Sequence, residues 1–223
     1  MALSTLNVHR CTTSLITGTT SIVSPEETNF LRFVNLVLKR APKAVRVYFD
    51  TIHPPCNLAA DLASERPTLT SLRARKVINQ VQWNTLFGVN NPVSNDFDVT
   101  LLICLLRNMS PSTTAPAGGF DVLPNPSDVS TGADLARIKF YRKTVAHSTD
   151  ARMNANEFHT SWTDIEGAIG RLGGAVLLNE AKTLMVTTID DSERELLLEH
   201  LLEIRQLRLE RSETIPWNVR ELT

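Results

Sequence analysis

Arg142 and His147 bracket most of the stretch YRKTVAH, and as a pair they hold the two functions that metal-free phosphodiester cleavage needs. An imidazole titrates near neutral pH and can move protons to or from a 2′-hydroxyl or a leaving oxygen. A guanidinium stays charged and stabilises the crowded, negative phosphorane. The same stretch has a plainer explanation, because Arg142, Lys143 and His147 would all complement the negative pole at a helix C-terminus. Geometry separates the two readings. Five residues along an ideal helix rotate a side chain by about 500°, which leaves the pair about 140° apart. On one helix the two converge only if it frays near Val145, ahead of the helix-poor HSTD.

Other chemistries are excluded. The chain has no GxxxxGK loop, no HExxH helix and no GxSxG elbow, so P-loop ATPase, zinc protease and α/β-hydrolase readings fall. His9, His53, His159 and His200 lack neighbours at ligand spacing and read as surface or packing residues. Cys11, Cys56 and Cys104 lie far apart with no CxxC pair, which excludes a RING or similar zinc module and suits a reducing, cytoplasmic setting. No metal and no cofactor is expected. Lys and Arg number 23 against 24 Asp and Glu, for a net charge of -1, so no global field draws the protein onto nucleic acid and any RNA contact must be local. No apolar run approaches the ~18 to 20 residues of a membrane span.

The elements that must position the pair read as helices. Only 9 Gly and 2 Tyr in 223 residues weigh against a sheet-rich fold with many tight turns. Ser24, Pro25 and Glu27 form a helix start, followed by the apolar residues Phe30, Val34, Leu36, Val37 and Leu38. Pro42 is expected to interrupt this helix, which resumes over KAVRVYFDTI. Residues 68–87 read as one helix or two abutting ones, ended by Gly88. Ser94 or Asn95 is expected to cap DFDVTLLICLLRN, apolar nearly all round and suited to the centre of a bundle, with a buried strand as the competing reading. Residues 110–130 hold too many Pro and Gly for regular structure.

Thr131 then starts a helix with Asp134 as capping partner, Leu135, Ile138 and Val145 pointing one way and Arg137 and Lys139 elsewhere. A helix from Ala155 stops at Gly173 and Gly174. The last helix, DDSERELLLEHLLEIRQLRLERSE, has acids at its start and Arg205, Arg208 and Arg211 at its end. The partition expected is a tail over 1–24, a helical domain over 25–174, a helical extension over 175–212 and a tail or linker over 213–223. IPWNVRELT reads as the entrance to a following domain.

Six stretches in order, TNFLR (28–32), HPPCNL (53–58), QWNTLF (82–87), FDVTLLICLLRN (97–108), ADLARIKFYR (133–142) and EFHTSWTDIEGAIGRLG (157–173), together resemble a known module. It is the HEPN domain (higher eukaryotes and prokaryotes nucleotide-binding), of the subtype found in the DAZ-interacting zinc-finger ubiquitin ligase. The resemblance implies an all-α, up-and-down helical bundle, here with an additional C-terminal helix, that commonly forms a homodimer. It places an RxxxxH-type motif near the groove between protomers. In ribonucleases of the family that Arg and His are catalytic, which here means Arg142 and His147, with Lys143 and Arg107 as nearby phosphate-binding cations. Other members bind RNA without cutting it, or serve as toxins, innate-immune effectors or regulatory attachments, and the alternative reading here is a non-catalytic module that dimerises or docks a signalling partner.

The chain departs from the family pattern at two points. Lys143 stands where a polar residue, often Asn, is usual, and a lysine attracts phosphate but cannot accept a hydrogen bond from a 2′-hydroxyl. The subtype commonly has one more residue before the Ala-His step, and the shorter spacing turns His147 relative to Arg142. Ligase activity is not implied, because the cysteines of a RING are absent.

Overall fold

A capping box opens the first helix, α1 (Pro25–Asn35): Ser24 Oγ accepts from the Glu27 N–H and Glu27 Oε2 from the Ser24 N–H, each at 3.2 Å. The structure is a computed structural model that describes residues 24–88 and 91–214. The expected tail before Ser24, the segment IPWNVRELT and the side chains of Arg208 and Arg211 lie outside the described residues. Pro42 does not break the helix. A single π-helical turn, Leu36–Arg40, in which the Ala41 N–H donates to the Leu36 carbonyl, leads directly into α2 (Ala41–Ile52). Pro42 then falls in the first turn of α2, where its missing N–H is tolerated, and the wider turn ahead relieves the clash of its ring. The interruption expected at Pro42 is therefore a local widening.

A short helix not anticipated from the sequence, α3 (Leu58–Ser64), follows the turn at His53. Residues 68–87 resolve into two helices, α4 (Arg66–Ala74) and α5 (Gln80–Phe87). Between them Lys76 adopts φ 59°, which no helix continues through. Gly88 caps α5, as expected.

The apolar run forms α6 (Val99–Asn108), a helix and not a strand, with Leu101, Leu102, Leu105 and Leu106 at most 1% exposed. Its cap is Asp98, whose Oδ1 accepts from the Leu101 N–H at 2.8 Å; Ser94–Asp96 is a 3-10 turn ahead of it. The next helix, α7 (Thr131–His147), is capped by Ser130 one residue before the expected start. Asp134 is no capping partner but a buried member of an ion-pair network, and Arg137, expected away from the apolar face, is 1% exposed. Every residue from 132 to 138 is buried, so this half of α7 has no solvent side.

Asn154 caps α8 (Ala155–Val186), which bends where the sequence indicated a stop: Gly174 has φ 78° and ψ −175°. The chain continues through Val186 and into α9 (Asp191–Thr214). The result is an all-α bundle in which α8 lies against α2, α7 and α1, and α9 closes over α1 and α7. Among the described residues no strand occurs, and no helix is long and apolar enough to cross a membrane. One continuous apolar core runs from Phe30 to Leu201, and Leu197 and Leu201 of α9 are at most 2% exposed.

Loop 110–130 is irregular, as expected, yet tightly seated. A Cβ on Gly132 would overlap the carbonyl oxygen of Thr114, a backbone atom that cannot swing aside. Gly132→Ala must lift the loop from α7 and is expected to cost about 1–3 kcal/mol. Urea unfolding with an unchanged m-value would register that loss.

Candidate phosphate-binding face of α7

Buried charge fixes the first half of α7. The Asp134 carboxylate accepts from Arg171 Nε at 2.8 Å and Nη2 at 2.6 Å, and from Arg137 Nη1 at 3.3 Å. Arg137 also donates to the carbonyls of Asp128 and Asn125, each at 2.7 Å, which ties the long loop to the helix. One turn further on, Tyr141 donates its hydroxyl to Asp164 Oδ2 at 3.0 Å across to α8. Burial pushes the Tyr141 phenol up to about 12, so it stays a neutral donor through the physiological range. Its ring meets Phe33 edge-on at 5.4 Å. The backbone that carries Arg142 is thereby fixed in rotation.

The second half of α7 carries the candidate residues, and it does not fray. The helix runs unbroken through His147, and the Ser148 N–H donates to the carbonyls of Thr144 at 3.0 Å and Val145 at 3.4 Å. The condition under which one helix brings Arg142 and His147 together is not met. Helical rotation sets the two positions about 140° apart, with Arg142 half-buried and His147 exposed.

Spacing groups the cations differently. Lys139, Lys143 and His147 follow one another at four-residue intervals and form one stripe along α7. Arg107 of α6 stands near this stripe, its guanidinium 4.3 Å above the Phe120 ring. The neighbouring loop residue Asp121 binds Lys139, and its carboxyl is held below the usual range first by that hydrogen bond and then by the charges of Lys139, Arg107 and Lys143. Arg107 and Lys143 thus share one locale.

Arg142 belongs to another. It and Lys39 of the π turn sit close enough to His200 of α9 to act on its charge. Burial pushes the His200 imidazole below its ordinary value; Glu203 opposes this, while Arg142 and Lys39 add to it. His200 is one of four histidines that the sequence assigns to surface or packing, and no spacing signal could have found it, because only the docking of α9 creates the neighbourhood. That docking is specific. Asn35 Nδ2 donates to Glu193 Oε1 at 2.6 Å, and Arg205 donates to the Ser148 carbonyl at the end of α7. Among the described residues no group of His, Cys, Asp or Glu is placed to hold a metal ion.

The comparisons bear on this same stretch. The family model described as DZIP3/hRUL138-like HEPN matches residues 55–196, from the turn before α3 to the first turns of α9. The human and mouse proteins named E3 ubiquitin-protein ligase DZIP3 are each 27% identical to the chain over 152 residues. The alignment covers 65% of this chain but only 12% of either ligase. No solved structure matches. The matched span takes in α7, the loop before it and well over half of the sequence, and the protein belongs to the DZIP3/hRUL138-like HEPN family.

Proposed function

We propose that this HEPN domain binds RNA or nucleotide phosphate on the second half of α7, with Lys143 and Arg107 as phosphate contacts, and that Arg142 and His147 carry metal-independent endoribonuclease chemistry when two copies pair. One observation carries the reading: a protein of net charge -1 gathers Lys139 and Lys143 on one stripe with Arg107 beside them, against the carboxylate of Asp121. That is the local positive field which its overall charge does not provide.

In the cleavage step His147 takes the proton of the 2′-hydroxyl and the freed oxygen attacks phosphorus. Arg142 neutralises the phosphorane as the bond to the 5′-oxygen breaks, and that oxygen leaves as a hydroxyl with a proton from solvent. The products are a 2′,3′-cyclic phosphate and a 5′-hydroxyl end. Because one α7 turns the two residues apart, the arginine of one copy works with the histidine of the other across a homodimer groove.

Binding of a fluorescein-labelled single-stranded RNA in EDTA tests the phosphate reading. Lys143→Ala and Arg107→Ala are each expected to weaken binding several-fold and to lower the salt slope by roughly 0.7, the contribution of one single-strand phosphate contact. RNA that stays unbound at about 100 µM protein in low salt overturns it. A second reading, a non-catalytic dimerisation or adaptor module for a signalling partner, is favoured by the unbroken helix that separates Arg142 from His147. A strict monomer in light scattering that still binds RNA counts against that alternative.

A further inference from the structure

Residues 66–95 contain Arg66, Arg73, Arg75 and Lys76 and not one Asp or Glu. The carboxylates just before them are engaged elsewhere: Asp61 binds His53 Nδ1 at 2.9 Å, and Glu65 accepts from the Ser110 N–H at 3.1 Å. On the α4–α5 pair the guanidiniums and aromatic rings form a ladder. Arg73 lies 4.6 Å over the Trp83 ring, Trp83 and Phe87 are 4.5 Å apart, and Arg66 lies 4.8 Å over Phe87. Stacking orders both guanidiniums in advance, and both residues are exposed to solvent. A cleft of about 240 Å³ opens between Leu62, Arg66, Phe87 and Pro92.

We propose that this face docks an acidic, aliphatic-rich segment of a partner protein. These cations, which no carboxylate among the described residues pairs, call for an anion, and the ordered Arg66 fork matches a carboxylate in a bidentate manner, while Arg73 already uses Nη2 on Gln80 Oε1 at 2.6 Å. The cleft decides the kind of anion, since Ala59, Leu62, Leu86, Phe87 and Pro92 line it beside Arg66. Such apolar walls gain from burial against leucine or isoleucine and nothing from a phosphate backbone. Tryptophan and arginine at the centre, with apolar neighbours that exclude water, are the composition of an interface hot spot. The residues are distinct from those of the α7 face, so this inference stands apart from the RNA reading.

Selection of a displayed random-peptide library on the full chain is the test. Enriched peptides are expected to combine Asp or Glu with Leu, Ile or Phe. Their synthetic forms should bind about tenfold or more weakly to Arg66→Glu/Arg73→Glu and to Ala63→Asp in the cleft wall, with Lys143→Ala unaffected. Circular dichroism checks that these variants stay folded, and Arg73→Lys, which keeps the charge but loses the planar stack, should fall between. Failure of any peptide to enrich, enrichment without carboxylates, or indifference to the arginine variants overturns the proposal. So does a single-stranded RNA whose binding falls with Arg66→Glu/Arg73→Glu but not with Lys143→Ala, which makes the face a nucleic-acid surface.

Discussion

Asp134→Ala is expected to cost roughly 3–5 kcal/mol of stability, a large share of the 5–15 kcal/mol that a folded domain has in all. Asp134 and Arg137 are each 1% exposed, so the carboxylate sits where water cannot replace it. Its loss leaves Arg137 charged and buried with only the Asn125 and Asp128 carbonyls and the Asp164 carboxylate, whose Oδ1 lies 3.7 Å from Arg137 Nε. It also strands Arg171, whose two nitrogens reach Asp134 from α8. Arg171→Ala is the control. That side chain is itself 38% exposed, and its loss leaves the buried Asp134 carboxylate with Arg137 Nη1 at 3.3 Å, so the cost should be smaller, about 1–3 kcal/mol. Urea unfolding of the two variants separates the loss of the shared carboxylate from the loss of one of its two arginine partners. If Asp134→Ala costs no more than Arg171→Ala, the buried carboxylate is not the centre of what seats α7.

Arg142→Ala and His147→Ala are each expected to lower RNA cleavage by a factor of about 100 to 10,000, the range attributable to one general base or one fixed countercharge. Folding should be little affected by the change at His147, whose side chain is exposed at the end of α7. RNA affinity should also change little in His147→Ala, since a proton carrier contributes to the transition state more than to ground-state binding. His200→Ala is the informative companion. His200 is the imidazole that shares its surroundings with Arg142 in the same copy, so a loss of cleavage in His200→Ala with His147→Ala fully active reassigns the proton carrier from α7 to α9.

Much of the fold was legible because the relevant signals are local. The capping box at Ser24, the apolar run of α6 and the break at Gly174 are decided within a few residues of where they are read. Pro42 was legible as a disturbance but not as a π turn, since the choice between a break and a widened turn is made by the buried Leu36, Val37 and Leu38, which hold both helices to one core. The helix α3 is only 7 residues long, too short to establish a period. Arg137 was misplaced because periodicity treats a charge as a surface residue, while its partners, the Asn125 and Asp128 carbonyls, come from a loop without periodicity.

For the site, the unbroken α7 meets the ideal-helix premise from which the separation of Arg142 and His147 is read. The clustering of Arg107 with Lys143 and of Lys39 with His200 arises from packing between elements and is absent from any local pattern.

The most direct measurement of the central claim is complementation in EDTA with a labelled single-stranded RNA. Wild-type protein, Arg142→Ala, His147→Ala and an equal mixture of the two variants are assayed side by side at the same total concentration. Recovery in the mixture of roughly a quarter of wild-type cleavage, from heterodimers that hold one intact arginine and histidine across their groove, is the predicted result. Wild-type protein that leaves the RNA whole, variants that cut as well as wild type, or inactive variants that stay inactive when mixed would contradict it.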